Sequence, residues 1–390
     1  DTKPKILSTF NQYEGKITDM SKILKDITGA GFYNTSAYDF FKLLDDQRNI
    51  AANLRNFIDG FSINVQQIFE KFEFEKQLSR MEGGNMLYLI IKEFNKINLH
   101  PDVVSNLEMG YLFEELIRRF SEQSNETAGE HYTPREVIQL MVNVLFEPDA
   151  EILKKEHIIK TVDDPCCGTG GMLSVGKEHI LQHINEKASV FVYGQELNPI
   201  TYAICKADML IKWEDADRIR WGDKDHTIAS TLSTDQFLGL KFDYILANPP
   251  YGVDWKKDKE SVELEADRGF AGRFGAGLPR SSDGQLLFLQ HMLSKMRNPS
   301  EGGARVGVVF NGSPLFTGDA GGGESEIRRW VCENDYLETI IALPDQLFYN
   351  TGISTYIWIL SNRKEAKRKN KVQMIDARNF YKKMRKSLGS

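Results

Sequence analysis

The sequence predicts an α/β protein: a doubly wound, mostly parallel sheet preceded by an all-helical segment. Two observations carry that prediction. From residue 161 onward, short apolar runs alternate with stretches of helical spacing, the pattern of parallel strands joined by crossover helices. Before about residue 125, apolar positions recur at helical spacing only, as in Val65, Ile68, Phe69 and Phe72 and in Leu87, Ile90, Ile91 and Phe94. The expected organisation is a helical domain over 1–125, a sheet domain over 126–362 and a basic C-terminal segment over 363–390.

A chain of 390 residues, 41% hydrophobic and 27% charged, has room for two or three domains and a full-sized core. No apolar run is long enough to span a bilayer and the N-terminus carries no signal-peptide pattern, so a cytoplasmic protein without a membrane partner is expected. The chain begins at Asp1 without a methionine, which reads as a fragment or a processed chain. The four cysteines, Cys166, Cys167, Cys205 and Cys332, form no C-x-x-C pair. They read as reduced, small buried residues, and no metal site is expected. A net charge of −6 argues against tight nonspecific binding of nucleic acid by the whole surface. Positive charge is nonetheless concentrated late, at Arg363, Lys364, Lys367, Arg368, Lys369 and Lys371 and again at Lys382, Lys383, Arg385 and Lys386.

In chain order, the polar stretch "SEQSNETAG" (121–129) reads as a linker. Thr133-Pro134-Arg135-Glu136 fits a capping box with proline at the first helical position, so a helix is expected there, after a loop holding Glu130, His131 and Tyr132. Strands are expected at 161–164, 190–194, 242–247, 305–310, 337–343 and 356–360, with a short one at 218–222. Helices are expected at 171–184, 199–211, 285–296 and 324–333. The last two strands have no helical pattern between them and should close the sheet as an antiparallel hairpin. Residues 252–284, charged and glycine-rich, read as a long loop, either solvated or closing over a ligand with Lys256, Lys257, Arg268, Arg273 and Arg280 on phosphates.

Ligands of a doubly wound sheet bind beyond the carboxyl ends of its strands, so the residues following each strand belong together. After the first comes "DPCCGTGGML", whose Gly168, Gly170 and Gly171 allow a tight turn and a close ligand approach. Leu173 stands where a nicotinamide-binding fingerprint needs its third glycine, and no Gly-Lys-Ser/Thr follows to make a P-loop. After the second comes Glu196, at a strand end where a carboxylate either accepts both hydroxyls of a ribose or is simply solvated. Asp223, in "WGDKD", accepts from an adenine amino group or merely caps a turn. After the third comes Asn248-Pro249-Pro250-Tyr251. The Asn248 side-chain oxygen and the Pro249 carbonyl are two acceptors, the number a planar –NH2 group can satisfy. The prolines stiffen the turn, and Tyr251 offers a ring face to a base. Holding both N–H bonds aims the nitrogen lone pair at an electrophilic methyl group without a strong base or metal.

"DPCCGTGG", Glu196, Asp223 and "NPPY", in this order, resemble the motif series of S-adenosylmethionine-dependent amino-methyltransferases. "GEHYTPREV" ahead of them and "IIALPDQLFYNTGISTYIWIL" behind them resemble the modification (M) subunit of type I restriction–modification systems, an adenine-N6 DNA methyltransferase. The resemblance covers about 105–380. It implies the S-adenosylmethionine-dependent methyltransferase fold, with S-adenosyl-L-methionine as cofactor. Glu130, His131, Tyr132, Thr133, Pro134 and Arg135 would border its methionine end. Asp164, Gly168, Thr169, Gly170 and Gly171 would wrap its middle, Glu196 would hold its ribose and Asp223 would face its adenine. Asn248, Pro249, Pro250 and Tyr251 would hold the target adenine, with Phe348 as a second stacking wall or a packed core aromatic. Implied partners are DNA, a specificity (S) subunit, a restriction (R) subunit and a second M subunit. Since the pocket cannot reach a base inside a duplex, the adenine must flip out. Two rivals stand beside this reading. One is an amino-methyltransferase for RNA or a protein glutamine, because the same two acceptors suit any planar –NH2. The other is a non-catalytic scaffold that binds cofactor, against which the intact Asn248–Tyr251 set argues.

Overall fold

The computed structural model describes residues 2–100, 102–104, 108–109, 112–113, 115–116, 133–222, 229–348 and 352–382. The chain forms two compact units, Asp1–Ser124 with Pro199–Arg218, and Asn125–Asn198 with Ile219–Ser390. The first is helical. Its helices include Ile50–Asp59, Phe74–Gly83 and Leu87–Phe94, whose apolar faces meet in a core of Leu43, Ile50, Leu54, Leu78, Leu87 and Ile91. Pro199–Arg218, which the sequence sets between two strands of the sheet, groups with this unit.

The second unit is built on eight strands: β1 (Ile159–Asp164), β2 (Ser189–Glu196), β3 (Ile219–Trp221), β4 (Tyr244–Ala247), β5 (Arg305–Asn311), β6 (Leu337–Ala342), β7 (Thr355–Ser361) and β8 (Gln373–Asp376). Their order is β3-β2-β1-β4-β5-β7-β6-β8. β1 through β5 pair in parallel, and β7 runs antiparallel between β5 and β6, the closing hairpin expected. β4 and β5 are buried along nearly their whole length, as a sheet covered on both faces requires. One core cluster joins Ile245, Ala247, Val306, Val308 and Phe310 to Leu286, Leu289, Met292, Ile327 and Val331 from the helices Gln285–Ser294 and Gly323–Glu333. From β1 the strand order runs one way to β2 and the other way to β4. That reversal opens a crevice at their carboxyl ends.

Two expectations are corrected. Residues 252–284 are a folded insertion rather than a loop, with a helix at Lys259–Ala266. Trp255, Val262 and Phe274 pack with Leu232, Leu287 and Phe288 in a small core of their own. The glycines mislead because they mark close packing: a Cβ on Gly272 would lie 2.1 Å from the Glu265 carbonyl oxygen. Arg273 does not face phosphates. It binds the Glu265 carboxylate and donates to the Thr231 and Leu232 carbonyls at 2.6 and 2.8 Å. Beyond residue 362 the chain adds β8, which pairs in parallel with β6. Three of its cations pair with acidic groups of the sheet unit, Arg363 with Asp149, Lys364 with Asp335 and Arg368 with Glu338, while Lys367 stays exposed.

Candidate active site

β1 delivers Asp164 to the crevice, and the glycine turn follows. Gly168 and Gly170 take φ of 54° and 85°, left-handed conformations that favour glycine. The turn lies against β2, where the Cys167 N–H donates to the Gln195 carbonyl at 3.0 Å. That approach needs Gly194, since a Cβ there would stand 2.8 Å from the Cys167 sulfur. Glu196, at the end of β2, locks the arrangement. Its Oε2 accepts the Gly168 N–H and its Oε1 the Asn198 N–H, both at 2.7 Å. Asp164 is buried and accepts the Cys166 N–H at 3.0 Å. Burial pushes its carboxyl up to about 7, the Cys166 N–H holds it down, and Glu196 adds to the rise.

β4 delivers the other half. Asn248 follows its last residue, and the two prolines carry the chain to Tyr251. The Tyr251 hydroxyl donates to Asn248 Oδ1, while Asn248 Nδ2 donates to Thr133 Oγ1 at 3.0 Å. The amide is therefore gripped at both ends, its oxygen still able to accept one further hydrogen bond. Here the structure departs from the expected capping box. The helix Arg135–Phe146 starts one residue later, with Pro134 at its N-cap and no side-chain cap, so the Thr133 hydroxyl serves Asn248 instead. Phe348 is buried, its ring centroid 6.2 Å from that of Tyr251, but the planes meet at 75°, edge to face rather than as parallel walls.

Cys166, which the sequence marks only as a small buried residue, stands between the two halves. Burial pushes its thiol well up, and the charges of Asp164 and Glu196 push it further. Burial likewise raises the Tyr251 hydroxyl, with Cys166 contributing. Contacts thus join Thr133, Asn248, Tyr251 and Phe348 on one side and Gly168 with Glu196 on the other. Thr169 and Gly171 lie half-buried along the turn, Pro134 and Arg135 at the start of their helix, and Pro249 is buried behind Asn248. Glu130, His131, Tyr132 and Asp223 lie outside the described residues.

Sequence reasoning also missed a polar network at the end of β5. The buried Gln285 donates to Asn311 Oδ1 at 2.9 Å and to Asp283 at 3.0 Å, and the Asn311 N–H donates back to Gln285 Oε1 at 3.2 Å. Nothing in the local pattern "SSDGQLL" distinguishes it from an ordinary helix start. Among the described residues no group of three or more His, Cys, Asp or Glu is placed to hold a metal, and no helix is long and apolar enough to cross a membrane.

The family described as N-6 DNA methylase matches residues 105–389. The HindI methylase subunit, a type I restriction enzyme component of Haemophilus influenzae, is 31% identical over 272 residues, 69% of this chain and 54% of its own length. The MjaIX methylase subunit of Methanocaldococcus jannaschii is 28% identical over 304 residues, 78% of this chain and 50% of its own. The chain spans about half the length of the curated relatives it matches. Among solved structures, a type I restriction–modification methyltransferase subunit from Streptococcus thermophilus superposes with a TM-score of 0.69 at 22% identity, covering 98% of this chain and 78% of that one. A protein from Listeria monocytogenes described as a class I S-adenosylmethionine-dependent methyltransferase superposes with a TM-score of 0.57 at 17% identity, covering 86% and 92%. The sheet unit has that methyltransferase fold.

Proposed function

Because the chain belongs to the N-6 DNA methylase family, we propose that it transfers a methyl group from S-adenosyl-L-methionine to the N6 amine of an adenine flipped out of DNA. It acts as the modification subunit of a type I restriction–modification complex. The observation that carries the reading is the two-sided grip on Asn248 by Thr133 and Tyr251.

The residues present suit the cofactor. The positive-φ glycines leave backbone open to a close approach, and the Glu196 carboxylate sits against that turn, accepting the Gly168 N–H. A cationic group beside Asp164 would favour its ionised form. The cofactor supplies a methyl carbon made electrophilic by a sulfonium, with a thioether as leaving group. Asn248 Oδ1 and the Pro249 carbonyl then accept the two N–H bonds of the adenine amine, and the lone pair left over points at the methyl carbon. With the cofactor bound, its thioether would leave as the amine takes up the methyl group, and the spare amine proton would pass to solvent. Fixing the amide rotamer in advance removes reorganisation from the step. Tyr251 and Phe348 meet edge to face, so one ring must turn before a base can lie between them.

On this reading the partners are DNA, a specificity subunit, a second modification subunit and a restriction subunit, in the cytoplasm. The test is transfer of labelled methyl to unmodified DNA, with and without a co-expressed specificity subunit, followed by nucleoside analysis. N6-methyladenine formed only with the partner is the expected result. Label in RNA or in protein glutamine without any partner would replace this reading with its rival. Asn248→Ala should abolish transfer and leave cofactor affinity nearly intact. Lost cofactor binding would move Asn248 to the cofactor site.

A further inference from the structure

Residues 279–316 hold an arginine whose placement the chemistry above does not use. The β4–β5 register sets Ala247 beside Val308, so Asn311 stands on the neighbouring strand, slightly beyond the level of Asn248. Asn311 is fixed by Gln285 and accepts the Ser313 N–H at 2.8 Å. Ser313 Oγ in turn accepts Arg280 Nη2–H at 3.0 Å, with the Asp283 carboxylate 3.9 Å from the same nitrogen. The Arg280 backbone is pinned as well. Its N–H donates to Glu324 at 2.9 Å and its carbonyl accepts the Trp255 indole N–H at 3.0 Å. Trp255 also donates its backbone N–H to Ser281, and Gly284 donates to Val253, so this segment is zipped to the chain leaving Tyr251.

Arg280 nevertheless keeps 51% of its side chain in solvent. Three residues beyond Ser313, Phe316 is 75% exposed. Its ring rests over Gly312, where a Cβ would lie 3.3 Å away, and meets Tyr356 edge-on at 6.3 Å. A guanidinium positioned by Ser313, with Asp283 near its inner side, has already lost part of the entropy that a flexible surface cation would lose on binding. A planar cation and an exposed aromatic ring on one rim, next to the groups that hold the target base, match the two chemistries of a nucleic-acid strand, phosphate and stacked base.

Resting on the proposed DNA methyl transfer, we infer that the rim beyond β5 is the surface that holds DNA beside the flipped adenine, with Arg280 on a backbone phosphate and Phe316 against the bases left exposed in the stack. Arg273, by contrast, is sunk in its own network and turned away from solvent.

The test uses the full chain assembled with its specificity subunit. Methylated positions left by the wild type on unmethylated genomic DNA define a target duplex, prepared with the adenine opposite thymine or opposite an abasic site. Arg280→Ala should raise KM for the duplex roughly five- to tenfold. It should also lower the slope of log(kcat/KM) against log[salt] by about one, the change for one phosphate contact, with cofactor affinity unchanged. Arg280→Lys should recover the slope. Phe316→Ala should lower kcat on the paired duplex roughly tenfold and stay near wild type on the abasic duplex, where extrusion costs less. An unchanged salt slope, or equal loss on both duplexes, would overturn the inference. Wild type that labels no DNA at all would instead overturn the reading beneath it.

Discussion

Asn248 shows how a side chain is prepared for one task. An amide on a strand end ordinarily samples both orientations, but here Thr133 takes its N–H and Tyr251 supplies a donor to its oxygen. Thr133→Val should therefore free the amide, leave a part-buried N–H unpaired, and lower kcat by about fivefold to tenfold, on the order of 1 kcal/mol, without changing cofactor affinity. Equal kcat in single-turnover assays would show that the prolines alone fix the amide. Glu196→Ala should weaken cofactor binding roughly tenfold by calorimetry, on the order of 1.4 kcal/mol, because it releases both the Gly168 turn and the expected ribose acceptor. Unchanged affinity would remove Glu196 from that role. The two strand-end motifs are legible in the sequence because their chemistry is local: glycines that must turn, prolines that must stop a strand. The partner of Asn248 is not, since Thr133 lies 115 residues away and its neighbours spell a plausible helix cap. Long-range pairing overrode local propensity there.

At the level of elements, the parallel strands were readable from apolar run length, and the hairpin of β6 and β7 from the missing helix between them. β8 was not, because all four of its residues are exposed and none of the pattern of a buried strand survives. The insertion at 252–284 escaped for the opposite reason: its few core residues are scattered among charges. What ties the antiparallel half of the sheet to the parallel half is partly ionic. Arg305, at the start of β5, makes a two-pronged contact with Glu338 at 3.1 Å, both side chains 5% exposed, and donates to the Leu145 carbonyl at 3.0 Å. Removing one partner leaves the other charge buried. Glu338→Ala should cost roughly 3–5 kcal/mol in denaturant unfolding, whereas replacing both residues by apolar ones of similar volume should cost far less. A loss under about 1 kcal/mol for the single variant would mean that Arg368, 3.1 Å from the same carboxylate, does not matter to the pair and water reaches it.

Across the whole molecule, β1 ends in two adjacent buried carboxyls, and their titration sets a pH trend. Burial holds Asp163 well above the ordinary carboxylate range, with Asp164 adding to the rise, and Asp164 itself sits at about 7. A carboxyl whose folded pKa is raised contributes stability below its unfolded value and loses it as pH climbs through the folded one. Thermal stability should therefore decline between about pH 4 and pH 7 and beyond. Asp163→Asn should flatten the decline and raise Tm at pH 8 by a few degrees, roughly 2–4 °C for each kcal/mol. A wild-type Tm that rises steadily across this window would contradict the assignment. The sheet also divides its labour: β1 and β2 carry the groups expected to meet the cofactor, while β4, β5 and the β6–β7 connection carry those expected to meet DNA. Because β7 runs back beside both β5 and β6, that connection leaves and re-enters the sheet at one end without crossing it. An exchange of residues 343–354 would therefore leave the strand order of the sheet unchanged. A chimera carrying a relative's version is expected to alter the side on which Phe348 meets Tyr251 and to leave the Gly168–Glu196 side in place, so acceptor preference should shift with cofactor affinity held constant.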